Sequence, residues 1–378
     1  MRFNVNSDVL SKNIQGLAKM VNGKASLAIL DHFLFEVDGD KLYVTASDSE
    51  NMMKTTMDID TISMPEEETD KRFCIHNTVI CDFLKNIAQQ PLLFDVDMEN
   101  NKVTISYMNG QVNFPCNAGK EFPKTNIIGD ESKNVTLPSG LILDDINRTS
   151  PFIGQETFRP IMNAICFNFK NDALDVVSSN GSVLVIISHD NISCDDECTL
   201  LLPPKPVALL KYFLCKEERE VSIRYTDNAA VFSCDNWELT CRLIEGRYPN
   251  YNCVIPSSDN VQVLVDRKEL QNSIRRMLPM GNPTAKVVKI EVNPTTLNMS
   301  SEDIDFNKSA KEDIPCETAG NEIRIGVNGE TLNCILTHIA SDIVRLKMTE
   351  PSRAILVVPD EDRENETFLG LLMPCLLN

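Results

Sequence analysis

The sequence is poor in positive charge, in glycine and histidine, and in long apolar runs, and each shortage closes off a class of function. Lysine and arginine number 36 against 55 aspartates and glutamates, giving a net charge of -19 and a pI near 4.7. At face value that balance argues against a nucleic-acid partner. No apolar stretch approaches the roughly 20 residues of a membrane span, so no membrane association is expected. The opening MRFNVNSD carries no charged-then-apolar leader, which makes the cytoplasm the expected compartment. Only 15 glycines occur in 378 residues, and none sits in GxxxxGK(S/T), GxSxG or a GxGxxG following a strand; HExxH is missing as well. Carboxylates are plentiful in PEEETDK and PDEDREN, but such runs read as solvated loops. No catalytic residue, metal ligand or cofactor is therefore expected. The four histidines, His32, His76, His189 and His338, read as structural or surface residues.

Cysteine is the residue that is not scarce, at 13. A chain of this size has no need of disulfide staples, and most of the thiols lie inside apolar stretches, so they read as buried and reduced. Cys194 and Cys198, in CDDEC, form the one close pair; without a second pair at zinc-site spacing they make a weak metal candidate.

What is present is a repeat. Residues 2–21, RFNVNSDVLSKNIQGLAKMV, read as a short alternating strand with Phe3 and Val5 on one face, a cap at Asn6 or Ser7, and a helix whose Leu10, Ile14, Leu17 and Val21 recur at helical spacing. Alternating strands follow, joined at Asp38-Gly39. The pattern returns at KRFCIHNTVICDFLKNI, with a cap at Asn77 and Ile80, Phe83, Leu84 and Ile87 on one face. It returns again at VTLPSGLILDDINRTSPFI, LLLPPKPVALLKYFLC, VQVLVDRKELQNSIRRMLPM and IRIGVNGETLNCILTHI. Starts at residues 3, 73, 135, 200, 261 and 323 give intervals of 70, 62, 65, 61 and 62, a regular period of the kind that marks a repeat architecture. Prolines in the fourth copy fall in the helix's first turn, where they are tolerated. Each copy holds one helix and about four strands with no parallel strand-helix alternation, which predicts an α+β chain of antiparallel sheets. The six copies pair into three domains, 1–131, 132–257 and 258–378, with boundaries in the polar stretches TNIIGDESKN and PSSDN.

Charge is unevenly distributed over the repeats. The six predicted helices together carry +3 whereas the rest of the chain carries -22. A phosphate-facing stripe would draw on Lys12, Lys19, Lys24, Lys85, Arg148, Lys205, Lys211, Arg267, Lys268, Arg275 and Arg276. The same numbers fit solvated helix faces, because +3 over six helices is modest and the third and sixth are acidic.

The sixfold unit, together with MRFNV at the start, GKASLAIL from Gly23, VSSNGSVL from Val177, LIEGRYPNYNCVIP from Leu243 and LLMPCLL from Leu371, resembles the bacterial sliding clamps, the beta subunits of the replicative DNA polymerase. The likeness runs the length of the chain. It implies a DNA clamp fold of three similar domains, each with two helices on antiparallel sheets, forming a crescent that dimerises into a ring. The function implied is that of a processivity factor, catalysing nothing and needing no cofactor, that encircles double-stranded DNA without reading its sequence. The implied partners are a second copy of the chain, the catalytic subunit of the replicative polymerase, an ATP-dependent clamp loader, and other polymerases and repair proteins bearing short clamp-binding motifs.

Residue by residue, the resemblance implies DNA contacts at Lys24, Lys71, Arg72 and Lys205 beside the helix cations above; Glu156 and Pro160 depart from the family pattern, and Arg159 is the candidate to substitute. It implies a partner-peptide cleft at Met162, Ser179, Gly181, Leu184, Pro249, Val254, Leu371, Met373 and Pro374. Methionine there would let one pocket accept several partners. Val183, Cys253 and Leu376 stand where some members carry arginine, so a more apolar cleft is expected. Ring closure is expected at Val112 and Phe114 in the first domain and Ile274, Met277 and Met280 in the third. The rival readings are a repeat scaffold that binds proteins or a small ligand without encircling DNA, and an enzyme built on repeated sheets.

Overall fold

The computed structural model describes residues 1–21, 27–64, 70–123, 128–129, 132–192, 194, 197–217 and 219–377. Six α-helices occur among them: α1 (Ser7–Leu17), α2 (Asn77–Lys85), α3 (Ser139–Thr149), α4 (Pro204–Phe213), α5 (Arg267–Met277) and α6 (Gly329–Thr337). Each follows a strand that begins one of the six repeats, and the rest of each repeat is mainly strand, with short 3-10 turns such as Ala28–Asp31 and Tyr251–Val254.

Local chemistry accounts for the helix starts. The Asn6 side chain accepts the Asp8 amide at 2.9 Å, Asp266 accepts that of Glu269 at 2.8 Å, and Asn328 accepts that of Thr331 at 2.9 Å, so side chains satisfy donors that the first turn leaves unpaired. Asn77 does not cap α2. It is the first helical residue, and the cap position falls to His76, whose side chain makes no capping hydrogen bond. Val21 and Ile87 lie past the ends of α1 and α2, so the buried stripes consist of Leu10, Ile14 and Leu17, and of Ile80 and Leu84. Burying each such side chain contributes roughly 1.5–3 kcal/mol as an upper estimate.

Among the described residues every strand pairing is antiparallel. One five-stranded sheet runs in the order Asp60–Ser63, Arg2–Asn6, Pro91–Asp97, Lys102–Tyr107, Gly110–Pro115. A nine-stranded sheet continues from the strand Asn51–Asp58 into Trp237–Arg242, with Trp237 opposite Thr55. A second nine-stranded sheet likewise joins Val183–Asp190 to Glu366–Leu372, with Leu184 opposite Leu371. A four-stranded sheet runs Lys308–Pro315, Thr296–Asp303, Val287–Val292, Ile323–Asn328. Sheets that run on from one repeat to another leave fewer strand edges open to solvent. Contacts group accordingly into two compact units, residues 1–143 with 205–243, and residues 144–204 with 244–378. The first two sheets belong to the former and the other two to the latter. No helix is long and apolar enough to cross a membrane, among the described residues. Cysteines other than Cys194 and Cys198 are free thiols, and among these Cys253 is exposed while the rest are buried or half-buried. Burial pushes the Cys74, Cys166 and Cys241 thiols up to about 12, which leaves them inert at neutral pH.

Candidate functional site

The cations proposed to face a polyanion do not form one class. Lys12 on α1 is exposed, and its carbonyl accepts the Tyr212 hydroxyl at 3.1 Å. Lys19, in the turn after α1, holds its ammonium 5.1 Å from the Tyr212 ring centroid. Gly16 permits this approach of α1 to α4, because a Cβ there would overlap the Phe213 and Tyr212 rings. On α4, burial pulls the Lys211 ammonium below the usual lysine range. Lys12, Lys71 and Arg275 carry no ion pair among the described residues, and Arg275 is exposed. Lys24 lies outside the described residues.

Other cations already hold carboxylates. Arg72 grips Asp70 with Nε at 2.8 Å and a second nitrogen at 3.1 Å. Arg159 meets Glu156 at 2.7 Å, and Arg276 meets Glu312 at 2.7 Å. Lys205 pairs with Asp48; burial alone would raise that carboxyl, but hydrogen bonds from Lys205 and Asn51 outweigh it and hold it below the usual range. Among the remaining helix candidates, Lys85 meets Asp82 at 3.1 Å and Lys268 meets Asp342 at 3.5 Å.

Arg148 is not a surface cation, contrary to expectation. It is 4 % exposed. Its guanidinium bonds Glu366 at 2.6 Å, Asp144 at 3.1 Å and the His338 carbonyl at 3.1 Å, and stacks 5.0 Å from the Phe368 ring centroid. One turn back on α3, the fully buried Asp145 takes His189 Nε2 on both oxygens, at 2.9 and 3.0 Å. This face of α3 is spent on internal pairing.

The expected cleft residues converge. A hollow of 160 Å³ is lined by Met162, Ser179, Gly181, Leu184, Pro249, Val254, Leu371 and Met373, together with Ser182, Val183, Tyr248, Asn250 and Tyr251. The hairpin turn at its edge is fixed by Asn180 Oδ1, which accepts the Ser182 and Val183 amides at 3.0 and 3.1 Å, and by Ser179 Oγ, which donates to the Val183 carbonyl at 2.7 Å. Gly181 holds φ +92° there, where a side chain would be strained. Met373 is set by its amide donating to the Ser182 carbonyl at 2.8 Å. The opposite wall is held by the Tyr251 hydroxyl, which donates to Asp175 at 2.6 Å and accepts from Asn168 at 2.8 Å. Val254 and Met373 remain exposed at its mouth. The fixed walls and adaptable methionines suit an apolar side chain offered by another molecule.

Pro374 does not line this hollow. It borders a neighbouring one of 460 Å³ with Arg324, Gly326, Leu376 and Leu377, which shares Met373. Val183 lies in the cleft wall, Cys253 borders a third hollow, and Leu376 is almost wholly exposed. The aromatic and amide groups of Tyr248, Asn250 and Tyr251 escaped the sequence reading, although all three lie in the stretch LIEGRYPNYNCVIP.

The ring-closure candidates separate. Val112 and Phe114 stand on Gly110–Pro115, an edge strand, with Phe114 turned in against the Phe83 ring at 5.7 Å between centroids. Ile274 and Met277 are fully buried on the core face of α5 and cannot present a contact surface; Met280, just beyond, is exposed. The four-stranded sheet also ends in an edge, Lys308–Pro315.

Three family models match the chain in order: the N-terminal domain of the DNA polymerase III beta subunit over residues 1–126, the central domain over 136–250 and the C-terminal domain over 252–375. The beta sliding clamp of Pseudomonas aeruginosa is 22% identical over 378 residues, covering 100% of both chains. That of Bacillus subtilis is 22% identical over 386 residues, covering 99% of each. Among solved structures, a Pseudomonas aeruginosa sliding clamp bound to griselimycin superposes with a TM-score of 0.92 at 21% identity, covering 100% of both chains. A DNA polymerase III beta subunit from Thermotoga maritima gives 0.89 at 21% identity, again covering 100% of both. At these identities the structural likeness speaks to fold.

Proposed function

The chain belongs to the DNA polymerase III beta-subunit family, and from that premise we propose that two copies close head to tail into a ring around duplex DNA. The protein is a sliding clamp, a non-catalytic processivity subunit of the polymerase. The observation that carries this reading is the ordered match of all three beta-subunit domains across residues 1–375. The domains divide at 1–131, 132–257 and 258–378. A clamp that must move along DNA uses diffuse phosphate attraction, since contacts to base edges would pin it. Lys12, Lys19, Lys24, Lys71, Lys211 and Arg275 supply that attraction. Arg72, Arg159, Lys205 and Arg276 contribute less, because each already faces a carboxylate. The acidic remainder of the chain discourages DNA from binding elsewhere.

Ring closure pairs the edge strand Gly110–Pro115 of one copy with the edge strand Lys308–Pro315 of the other, with Val112 and Met280 at the contact. Among the described residues both edges lack a neighbour on one side, and pairing removes that liability. The hollow of 160 Å³ and its neighbour at Pro374 receive short motifs from the polymerase, the loader and repair proteins. The griselimycin complex of the Pseudomonas aeruginosa clamp accords with a ligand site on this fold. Opening falls to a separate ATP-driven loader, and the working compartment is the cytoplasm, at the nucleoid during replication.

The test is the double substitution Met373→Ala with Pro374→Ala. Polymerase binding is expected to fall by an order of magnitude or more while the solution mass stays that of a dimer. Unchanged polymerase affinity would remove the cleft assignment, and a wild-type protein that is monomeric at micromolar concentration would remove the ring.

A further inference from the structure

We propose that the hairpin tips beside the two closure edges, residues 108–109 and 304–307, latch the ring: Met108, Ile304 and Phe306 cap the ends of the partner copy's edge strands and hold one register, with Val112 of one copy opposite Ala310 of the other. The inference rests on the ring closure proposed above. It is carried by the two joints that the chain already makes between its own repeats. Asn51–Asp58 and Trp237–Arg242 are the third strands after α1 and α4, and Val183–Asp190 and Glu366–Leu372 are the third strands after α3 and α6. Each joint pairs two such strands antiparallel. The third strands after α2 and α5, Gly110–Pro115 and Lys308–Pro315, are the two left over, and among the described residues each ends its sheet.

In both joints a hairpin tip abuts the far end of the strand it faces. The carbonyl of the residue just before a strand accepts an amide there: Asn236 from Thr56 at 2.7 Å, Asn365 from Asp190 at 3.0 Å and Ser182 from Met373 at 2.8 Å. Those amides stand two residues before the end of the opposing strand, at its last residue, and one residue past it. The faces of the strands narrow the register of closure. Phe114 meets Phe83 of α2, and Glu312 meets Arg276 of α5, so by alternation Val112 and Phe114 share the helix side with Lys308, Ala310, Glu312 and Ile314. Residues directly opposed across a strand pair lie on one side, so Val112 faces one of these four. Ala310 alone keeps both tips within the range of the joints: Asn109 then faces Asp313, two residues before the end, and Asn307 faces Pro115, the last. Met108 faces Ile314, next to Pro315, which with Leu264, Cys316 and Ile343 lines a hollow of 440 Å³. Phe306 faces Cys116, next to Asn117, whose pairing with Cys74 brings it toward the start of α2, where Val79 is exposed. Tips at the internal joints are polar, Asp-Asn at 235–236 and Asn-Gly-Ser at 180–182. Those at the closure edges are not: Met108 is 82 % exposed, Ile304 83 % and Phe306 68 %. Apolar groups gathered at an open sheet edge mark a surface that another molecule covers.

The test uses the full-length protein. Val112→Cys combined with Ala310→Cys is oxidised with copper-phenanthroline beside the wild type, whose exposed Cys253 sets the background, and read on a non-reducing gel. A covalent dimer is expected from this pair, and none from Val112→Cys combined with Lys308→Cys or with Glu312→Cys. In sedimentation equilibrium, Met108→Ser and Phe306→Ser should each raise the dimer dissociation constant about tenfold or more, with urea unfolding of the protomer unchanged because both side chains stand in solvent. A crosslink through Lys308→Cys or Glu312→Cys, or none from any pair while the wild type is a dimer, overturns the register and leaves the ring intact. Dissociation constants that ignore both serine substitutions overturn the latches. A wild type that is monomeric at micromolar concentration overturns ring closure and this inference with it.

Discussion

Replacing Arg148 by methionine separates its two conceivable roles. The stem of the side chain would be kept and the guanidinium lost. Glu366, whose side chain is 10% exposed, would lose its 2.6 Å partner, and the His338 carbonyl would lose its donor. Breaking a buried pair by removing one member costs about 3–5 kcal/mol. Here the low end applies, because Arg363 also reaches Glu366, at 3.5 Å, and Asp144 keeps Arg363 at 2.7 Å while standing half in solvent. The expected loss is therefore about 3 kcal/mol, read from urea unfolding. The double variant Arg148→Met with Glu366→Gln should recover part of that loss by removing the stranded charge. DNA affinity of the folded single variant should match wild type, with an unchanged slope of log K against log salt. A phosphate contact would instead lower the slope by about 0.9 and leave stability near wild type; that pattern would refute the structural role.

Two further outcomes follow from the core. Ile274→Ala should lower unfolding stability by about 2–5 kcal/mol, as expected of a fully buried aliphatic side chain, without changing the dimer dissociation constant of the folded protein. Dimer weakening without a stability loss, by sedimentation velocity and urea unfolding, would return Ile274 to the interface. The Asp145–His189 pair should make stability fall as pH rises. Burial pushes Asp145 up to about 6; for His189, burial acts downward, but the hydrogen bond and charge of Asp145 outweigh it and raise the imidazole above its ordinary 6.5. Groups whose folded values are raised stabilise below their unfolded values and lose that contribution as pH passes the folded ones. The pair's contribution to the urea midpoint, read as wild type minus the double variant Asp145→Asn with His189→Gln, should thus decline from about pH 4 upward and through the region above 6.5; a difference that stays constant or rises over this range would contradict the assignment.

Much of the fold was legible because its information is local. The strand-cap-helix order at residues 3, 73, 135, 200, 261 and 323 depends on alternation, 3.6-residue spacing and cap side chains, all contained within some twenty residues of sequence. The cleft was legible only by resemblance, since Leu184 and Leu371 are apolar strand residues that any core could contain until pairing sets them side by side. Arg148 was misread for a matching reason. Its position off the apolar stripe of α3 suggests solvent, and nothing near it in sequence reveals that Glu366, 218 residues away, comes to meet it. For Ile274 and Met277 the order of merit reverses: with Leu270 they sit at helical spacing, a core signal that proved the better guide than their assignment to the interface. The joins of Asn51–Asp58 to Trp237–Arg242 and of Val183–Asp190 to Glu366–Leu372 are pairings between distant repeats, which no local period encodes.

The central claim is that enclosure, and not grip, holds this protein on DNA. The direct measurement is retention on a nicked circular plasmid after loading by the cognate ATP-driven loader, followed by a single restriction cut and gel filtration at moderate salt. The account predicts that the protein stays with the intact circle and leaves once the circle is linear. Equal retention on circular and linear DNA would contradict it.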